Sequence, residues 1–286
     1  MSATTAFFAS PVRKLAVKLT AAATAALAVG AVAATFGAAP ASASTTPNWM
    51  MTGWGIHLAN QIDPGTFGHF FNTSSSYGTG PNAGSTPVYD GFGSNAVLSY
   101  TSYAQFASDI QNNAISPAYK WVLYDPEMWS QTPLNEQQNP VLYLQKFGQL
   151  AHANGYSAIE VPARDLAMVP GSACPQLPGE GLDRWFVRCN IAGAAAANSD
   201  IFILQDQVNT TNVTEFDYLF NTTRSQALAA NPRVKVDTEV STNYGTAGQM
   251  TTAARSVSAD GYYINATTPT LGQADQFLQQ MQASGY

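Results

Sequence analysis

From about residue 96 onward, short apolar runs alternate with stretches of helical period. Ala96-Val-Leu-Ser-Tyr100 predicts a strand, and Tyr103 to Asn112 the helix after it. Trp121-Val-Leu-Tyr-Asp125 is the next strand. The helix that follows, Asn139 to Asn154, meets a C-terminal stop at Gly155. Ser157-Ala-Ile-Glu-Val161, Asp200-Ile-Phe-Ile-Leu-Gln205, Val234 to Ser241 and Gly261-Tyr-Tyr-Ile-Asn265 repeat the strand pattern. Helices are expected over Ile191 to Ala197, Thr214 to Ala230, Ala247 to Ser258 and Leu271 to Ala283. Upstream, Ser44 to about Asn95 is rich in Gly, Ser, Asn and Pro. It reads as an extended, loop-dominated segment with one short strand near Trp54 to Leu58.

Strands alternating with helices predict repeated βα units and a parallel sheet. Six clear units, with a possible extra strand near Trp54, favour an α/β fold of the (β/α) barrel type, TIM-like, with an irregular N-terminal segment. No Gly-x-Gly-x-x-Gly run follows a strand and no P-loop sequence is present, which counts against a dinucleotide-binding sheet.

Strand parity then points to an interior. In Lys235-Val-Asp-Thr-Glu-Val-Ser241, Val236 and Val240 share one face, and Asp237, Glu239 and Ser241 the other. If the apolar face meets the helices, the polar face points into the barrel. The same rule places Ile159, Val161, Leu204 and Ile264 outward. It places Glu160, Pro162, Arg164, Gln205, Gln207 and Asn265 inward, and sets Asp125 and Glu127 on one face at the end of their strand.

Barrel enzymes carry their sites at the C-terminal ends of the strands. The leading candidate is Tyr124-Asp125-Pro126-Glu127-Met128-Trp129. Two carboxylates at i and i+2 on an extended segment lie on one side, roughly 6 to 7 Å apart. Crowding and burial separate their pKa values, so that one donates a proton while the other stays ionised. Glycosidic cleavage requires that division of labour. Trp129 offers an apolar face for a sugar ring; the competing reading is an Asp-Pro turn with Glu127 capping a helix. Glu160 and Glu239 are the other inward carboxylates, or else buried structural groups with Arg164 or Lys235 as partners. Gln205, Gln207, Asn243 and Asn265 suit hydroxyl recognition, or fill a polar interior. Asp165 reads equally as a turn residue. No Gly-x-Ser-x-Gly elbow is present, which rejects a serine triad.

Composition changes the picture in one respect, the compartment. Arg13, Lys14 and Lys18 precede an uncharged Ala/Val/Leu-rich stretch from about Leu19 to Phe36, and Ala41-Ser42-Ala43 follows. This is the plan of a secretory signal peptide over residues 1–43, cleaved after Ala43. A transmembrane anchor is the alternative, weakened by the modest hydropathy of the stretch and the cleavage motif after it. The remaining Ser44 to Tyr286 has the length of a single domain. All 18 acidic residues lie in that part, with most of the 12 basic ones outside the leader too, leaving it distinctly acidic. Attraction to nucleic acid or an anionic membrane is not expected. Much of its polarity is Asn, Gln, Ser, Thr and Tyr, which hydrogen-bond neutral hydroxylated ligands without the cost of burying charge. In an exported chain Cys174 and Cys189 are expected to form a disulfide, closing a loop with Pro175, Pro178, Gly179 and Gly181. His57, His69 and His152 are scattered, so no metal site is expected.

At Asp125-Pro-Glu127, after the apolar run Trp121 to Tyr124, the chain resembles the catalytic strand of chitinase-like family 18 glycoside hydrolases. The resemblance implies Glu127 as proton donor and Asp125 as the residue orienting the substrate's acetamido group. That family has a further Asp two residues before the pair, where this chain has Leu123, and its upstream Gly-rich acidic run is absent. Tyr-Asp-Pro-Glu-x-Trp, then Thr132-Pro133, Gln137, Pro140 and the helix to Ala151-His152-Ala153, is similar to a group of secreted actinobacterial (β/α)-barrel proteins of uncharacterised activity. The expectation is a secreted, monomeric hydrolase that cleaves a glycan by carboxylate acid/base catalysis, without cofactor or metal. Asp125 and Glu127 lead, with Glu160 or Glu239 as the complementary carboxylate. The rival readings are a non-catalytic extracellular barrel that binds carbohydrate or cell wall, and a metal-assisted hydrolase with Asp/Glu ligands.

Overall fold

Parallel strands pair in sequence order, and the last pairs with the first, closing a barrel. The structure, a computed structural model, describes residues 46–80 and 93–286. The leader and its cleavage site lie outside the described residues. The chain runs β1 (Asn48–Thr52), α1 (Gly53–Ile62), α2 (Pro64–Phe71), β2 (Ser76–Gly80), β3 (Asn95–Tyr100) and α3 (Tyr103–Gln111). It continues with β4 (Trp121–Tyr124), α4 (Leu134–Gln138), α5 (Pro140–Ala153), β5 (Ser157–Glu160), α6 (Leu182–Arg188) and α7 (Ile191–Ala196). Then come β6 (Ile201–Leu204), α8 (Val213–Ala230), β7 (Lys235–Ser241), α9 (Ala247–Ser256), β8 (Gly261–Asn265) and α10 (Leu271–Ala283). This is a TIM-like (β/α) barrel with eight strands among the described residues.

Residues 46–80 are largely regular, contrary to the expectation of loops. Trp54 to Leu58, expected as a strand, lies in α1, and the strand is the preceding Asn48–Thr52. Local capping decides the switch. The Thr52 hydroxyl accepts from the Gly55 amide at 3.1 Å, and Asp63 caps α2 ahead of Pro64. β2 is Ser-Tyr-Gly-Thr-Gly, almost without apolar residues. It is buried because it sits between two other strands and has small side chains.

Two apolar layers separate inside from outside. Strand residues such as Trp49, Leu98, Tyr124, Ala158, Phe202, Leu204, Val236 and Ile264 face the helices. A second cluster fills the barrel: Met50, Tyr77, Val97, Leu123, Ile159, Val161, Ile201 and Ile203. Parity was therefore right for β6, β7 and β8 and reversed for β5. Ile159 and Val161 point inward, and Glu160 points out beneath the helices. The rule fails there because the lower interior is itself apolar, so an apolar residue on β5 fits either face.

Beneath the apolar plug the barrel is closed by polar side chains. Asn48 donates to both oxygens of Asp237 at 3.2 Å and accepts from Lys235 Nζ at 2.9 Å. Burial outweighs those partners and pushes Asp237 up to about 7. β8 starts here at Gly261, where a Cβ would stand 2.7 Å from Asn48 O and from Asp237 Oδ2; only glycine fits.

Cys174 and Cys189 form the expected disulfide, with Cα atoms 6.1 Å apart. It ties the long loop after β5 to the end of α6, a helix that lies inside the disulfide loop. Trp185 Nε1 donates to Cys174 O at 2.6 Å, and Arg188 binds both oxygens of Glu180 at 2.7 and 2.8 Å. A surface-sized insertion thus becomes a folded wall on the C-terminal side of the barrel. Among the described residues no helix is long and apolar enough to cross a membrane.

Candidate functional site

The C-terminal ends of the strands deliver a ring of polar side chains above the apolar plug. β4 leads directly into Asp125 and Glu127, β6 into Gln205, and β7 and β8 supply Glu239 and Asn265. Gln205 joins the first two: its Nε2 donates to Asp125 Oδ1 at 2.7 Å, to Val161 O at 3.1 Å and, at the long limit, to Glu127 Oε1 at 3.5 Å. One amide therefore keeps the two carboxylates within the combined reach of its two bonds. Across the mouth, Asn265 Nδ2 donates to Glu239 Oε1 at 2.8 Å.

The carboxyls feel one another. Glu239 is almost fully buried, and burial, reinforced by the Glu127 charge, lifts it to about 8 against the pull of Asn265 and of the Arg164 charge. Asp125 is held well above the usual range by burial, then by Glu127, Glu239 and Asp165. Glu127 is raised by burial and by Asp165, and Gln205 pulls it back. Three acids at one opening cannot all ionise cheaply, so the cluster keeps protons at neutral pH. Glu239, lifted to about 8, keeps one.

Two neighbours were not singled out from the sequence. Tyr263, inward on β8, bonds to Thr79 of β2, and burial with the Glu239, Asp125 and Glu127 charges keeps its hydroxyl protonated. Asp165 accepts from the Met128 amide at 3.0 Å, tying the β4 loop to the turn after β5. Tyr263 was detectable from parity with Asn265; Asp165 read equally as a turn residue.

Other expected site residues fall elsewhere. Glu160 is fully buried against the helix layer, where burial raises it well above its usual value and the Gly148 amide pulls it back. It touches neither Arg164 nor Lys235 and has no place at the mouth. Arg164 instead pairs with Asp183 and lies 3.9 Å from Asp206, so it reaches the site through its charge. Asp206 is buried with Oδ2 unpartnered and Oδ1 accepting from Asn209 at 2.7 Å, a network the sequence did not suggest. Gln207 starts a 3-10 turn (Gln207–Asn209) rather than extending the strand, and Asn243 stands exposed in the loop after β7. Trp129 is half-buried and its Nε1 donates to Thr132 Oγ1 at 2.9 Å. It helps to hold the β4 loop, to which Gln137 adds bonds to Trp129 O and Thr132 O at 2.7 and 2.6 Å. Among the described residues no group of three or more His, Cys, Asp or Glu has the arrangement of a metal site.

No family model and no curated protein matches the chain. Among solved structures it is similar to the N-terminal domain of a putative aldolase from Bacteroides vulgatus, with 8% identity, a TM-score of 0.46, and 83% of this chain and 88% of that one covered. It is also similar to Ttha1563 from Thermus thermophilus, with 11% identity and a TM-score of 0.28 over 48% and 38% of the two chains. The enoyl reductase domain of MlnA from the macrolactin biosynthesis cluster of Bacillus amyloliquefaciens gives 10% identity and a TM-score of 0.38 over 76% and 52%. Likenesses this distant say nothing about chemistry.

Proposed function

We propose that this protein is a secreted glycoside hydrolase that cleaves a polysaccharide or cell-wall glycan with carboxylates at the barrel mouth. The observation that carries the reading is the pairing of unequal acids. Glu239 favours its protonated form to about pH 8, and the charge of Glu127, at the same opening, is among the causes that lift it. A protonated carboxyl facing an ionised one is the arrangement that breaks a glycosidic bond: one protonates the leaving oxygen, the other stabilises or attacks the anomeric carbon or activates water. Glu239 takes the acid's role in this scheme and Glu127 that of its partner. The family resemblance gave the donor role to Glu127, but Glu239 is the better-buried carboxyl and is lifted to about 8. Asp125, bonded to Gln205, is raised by burial and by the Glu127 charge beside it. Gln205 and Asn265 keep the carboxyls oriented and have chemistry suited to sugar hydroxyls.

Export is supported by the N-terminal leader pattern and by the disulfide, which persists in oxidising compartments. The test is release of reducing ends from a polysaccharide panel by the wild type beside Glu127→Gln and Glu239→Gln. Each variant is expected to lose at least about 100-fold in kcat, the usual scale for removing an acid or base. Equal release by wild type and variants removes these residues from their roles. Retention on a glycan with no release by any of them favours a binding barrel.

A further inference from the structure

Among the described residues the exposed large apolar side chains include Met128, Met168, Leu177, Val208 and Tyr244, all in connections that follow strands. Scattered exposed apolar residues are ordinary, but Trp54 and Tyr244 differ in placement. Trp54 stands in the first turn of α1, directly after β1, and is 58% exposed. Its ring stacks on the His57 imidazole, with centroids 5.0 Å apart and planes 25° from parallel. His57 in turn meets the Gln61 side-chain amide at 3.1 Å. The indole is thus held in a fixed plane while most of its surface faces solvent. Tyr244 is 51% exposed in the loop after β7, where its backbone N–H donates to Ser241 O at 3.2 Å.

The strand order sets the spacing of these two rings. β8 lies between β1 and β7, and it ends in Asn265, the residue bonded to Glu239. The aromatics therefore flank the sector of the rim that carries the Glu239 carboxyl. Thr52, on the same inward face of β1 as Met50, is exposed, so the mouth is open to solvent on this side. Pyranose rings with equatorial substituents present flat C–H faces, and a fixed aromatic plane offers matching apolar area. Anionic ligands have less to gain, because the neighbouring mouth carries the acids Asp125, Glu127 and Glu239.

We propose that Trp54 and Tyr244 are aromatic platforms of an extended binding track that carries a linear chain of equatorially linked pyranoses past Glu239. The proposal rests on the glycan reading of the mouth and adds to it the substrate class, a polymer lying across the rim.

Depletion binding on microcrystalline cellulose, chitin, peptidoglycan and granular starch tests it, using the purified protein, Trp54→Ala, Tyr244→Ala, the double variant, Trp54→Phe, and Leu142→Ala as an exposed apolar control on α5. Thermal melting checks that each variant is folded. The wild type is expected to bind at least one of the three equatorially linked polymers. On that polymer each alanine variant loses roughly tenfold in affinity, the scale of one stacking contact, and the double variant loses more. Trp54→Phe retains most of the binding, and Leu142→Ala all of it. Wild-type binding to none of the four, binding to starch alone, or alanine variants that bind as the wild type does would overturn the track. Reducing-end release is read in the same tubes. Retention that depends on the aromatics without release sinks the hydrolase and leaves the track standing; release unaffected by either aromatic sinks the track alone.

Discussion

Glu239 holds its proton because it is buried beside Glu127, and Asn265 works against that by donating to Glu239 Oε1. In the role of general acid its ionisation ends activity, so kcat/KM should fall as pH rises through about 8. Asn265→Ala removes a bond that favours the ionised form, so the alkaline limb should move to higher pH; a pH–rate profile of both proteins reads the shift. Glu160 predicts the opposite kind of effect, on stability alone. Its carboxyl is raised well above the unfolded value, so its stabilising contribution is complete below an unfolded pKa of about 4.3 and fades as pH rises above it. Glu160→Gln should therefore leave melting at pH 4 within a few degrees of wild type and raise it at pH 8, without changing turnover. Asp125, Glu127, Gln205, Glu239 and Asn265 were legible in the sequence because each sits at a strand end on the polar face. Glu160 was misread for a physical reason. Ile159 and Val161 serve the interior plug, and nothing in Ser-Ala-Ile-Glu-Val reveals which of two apolar layers they fill.

At the scale of elements, α3 is anchored by a carboxylate from elsewhere in the chain. Glu136, fully buried in α4, accepts from the Tyr103 and Ala104 amides at 2.7 and 3.0 Å, from the Ser102 hydroxyl at 3.1 Å and from the Tyr124 hydroxyl at 2.8 Å. It occupies the start of α3 where free N–H groups and the helix dipole favour an anion. Glu136→Ala strands several buried donors and should cost about 3 kcal/mol or more in a denaturant titration, against a smaller loss for Glu136→Gln. The Thr-Pro-x-x-Glu-Gln stretch is thus largely structural, bracing the loop that carries Glu127. Reducing the Cys174–Cys189 bond frees the wall after β5, and about 3 kcal/mol of stability should go with it. The βα repeats from β3 onward were legible because apolar runs and helical periods alternate cleanly. β1, α1, α2 and β2 were not, because their signals are caps and glycines rather than periodicity.

For the whole molecule, the buried acids set a common trend. Asp125, Glu160 and Asp206 are raised well above their usual values, Asp237 to about 7 and Glu239 to about 8. Each contributes fully below the unfolded carboxylate range near pH 4 and loses that contribution as pH rises through its folded value. Melting temperature should therefore peak on the mildly acidic side and drop by at least about 5 °C between pH 5 and pH 8.5; a flat profile over that interval would contradict this picture. The closed base of the barrel has a separate consequence. Met50, Leu123, Ile201 and their neighbours fill the lumen, and Lys235, Asn48 and Asp237 clasp its floor. The barrel has a doorway but no back exit. On the proposed reading, a long chain cannot be threaded through it like a needle's eye; it must be boarded and left sideways, and severed ends would depart by the path along which the chain arrived.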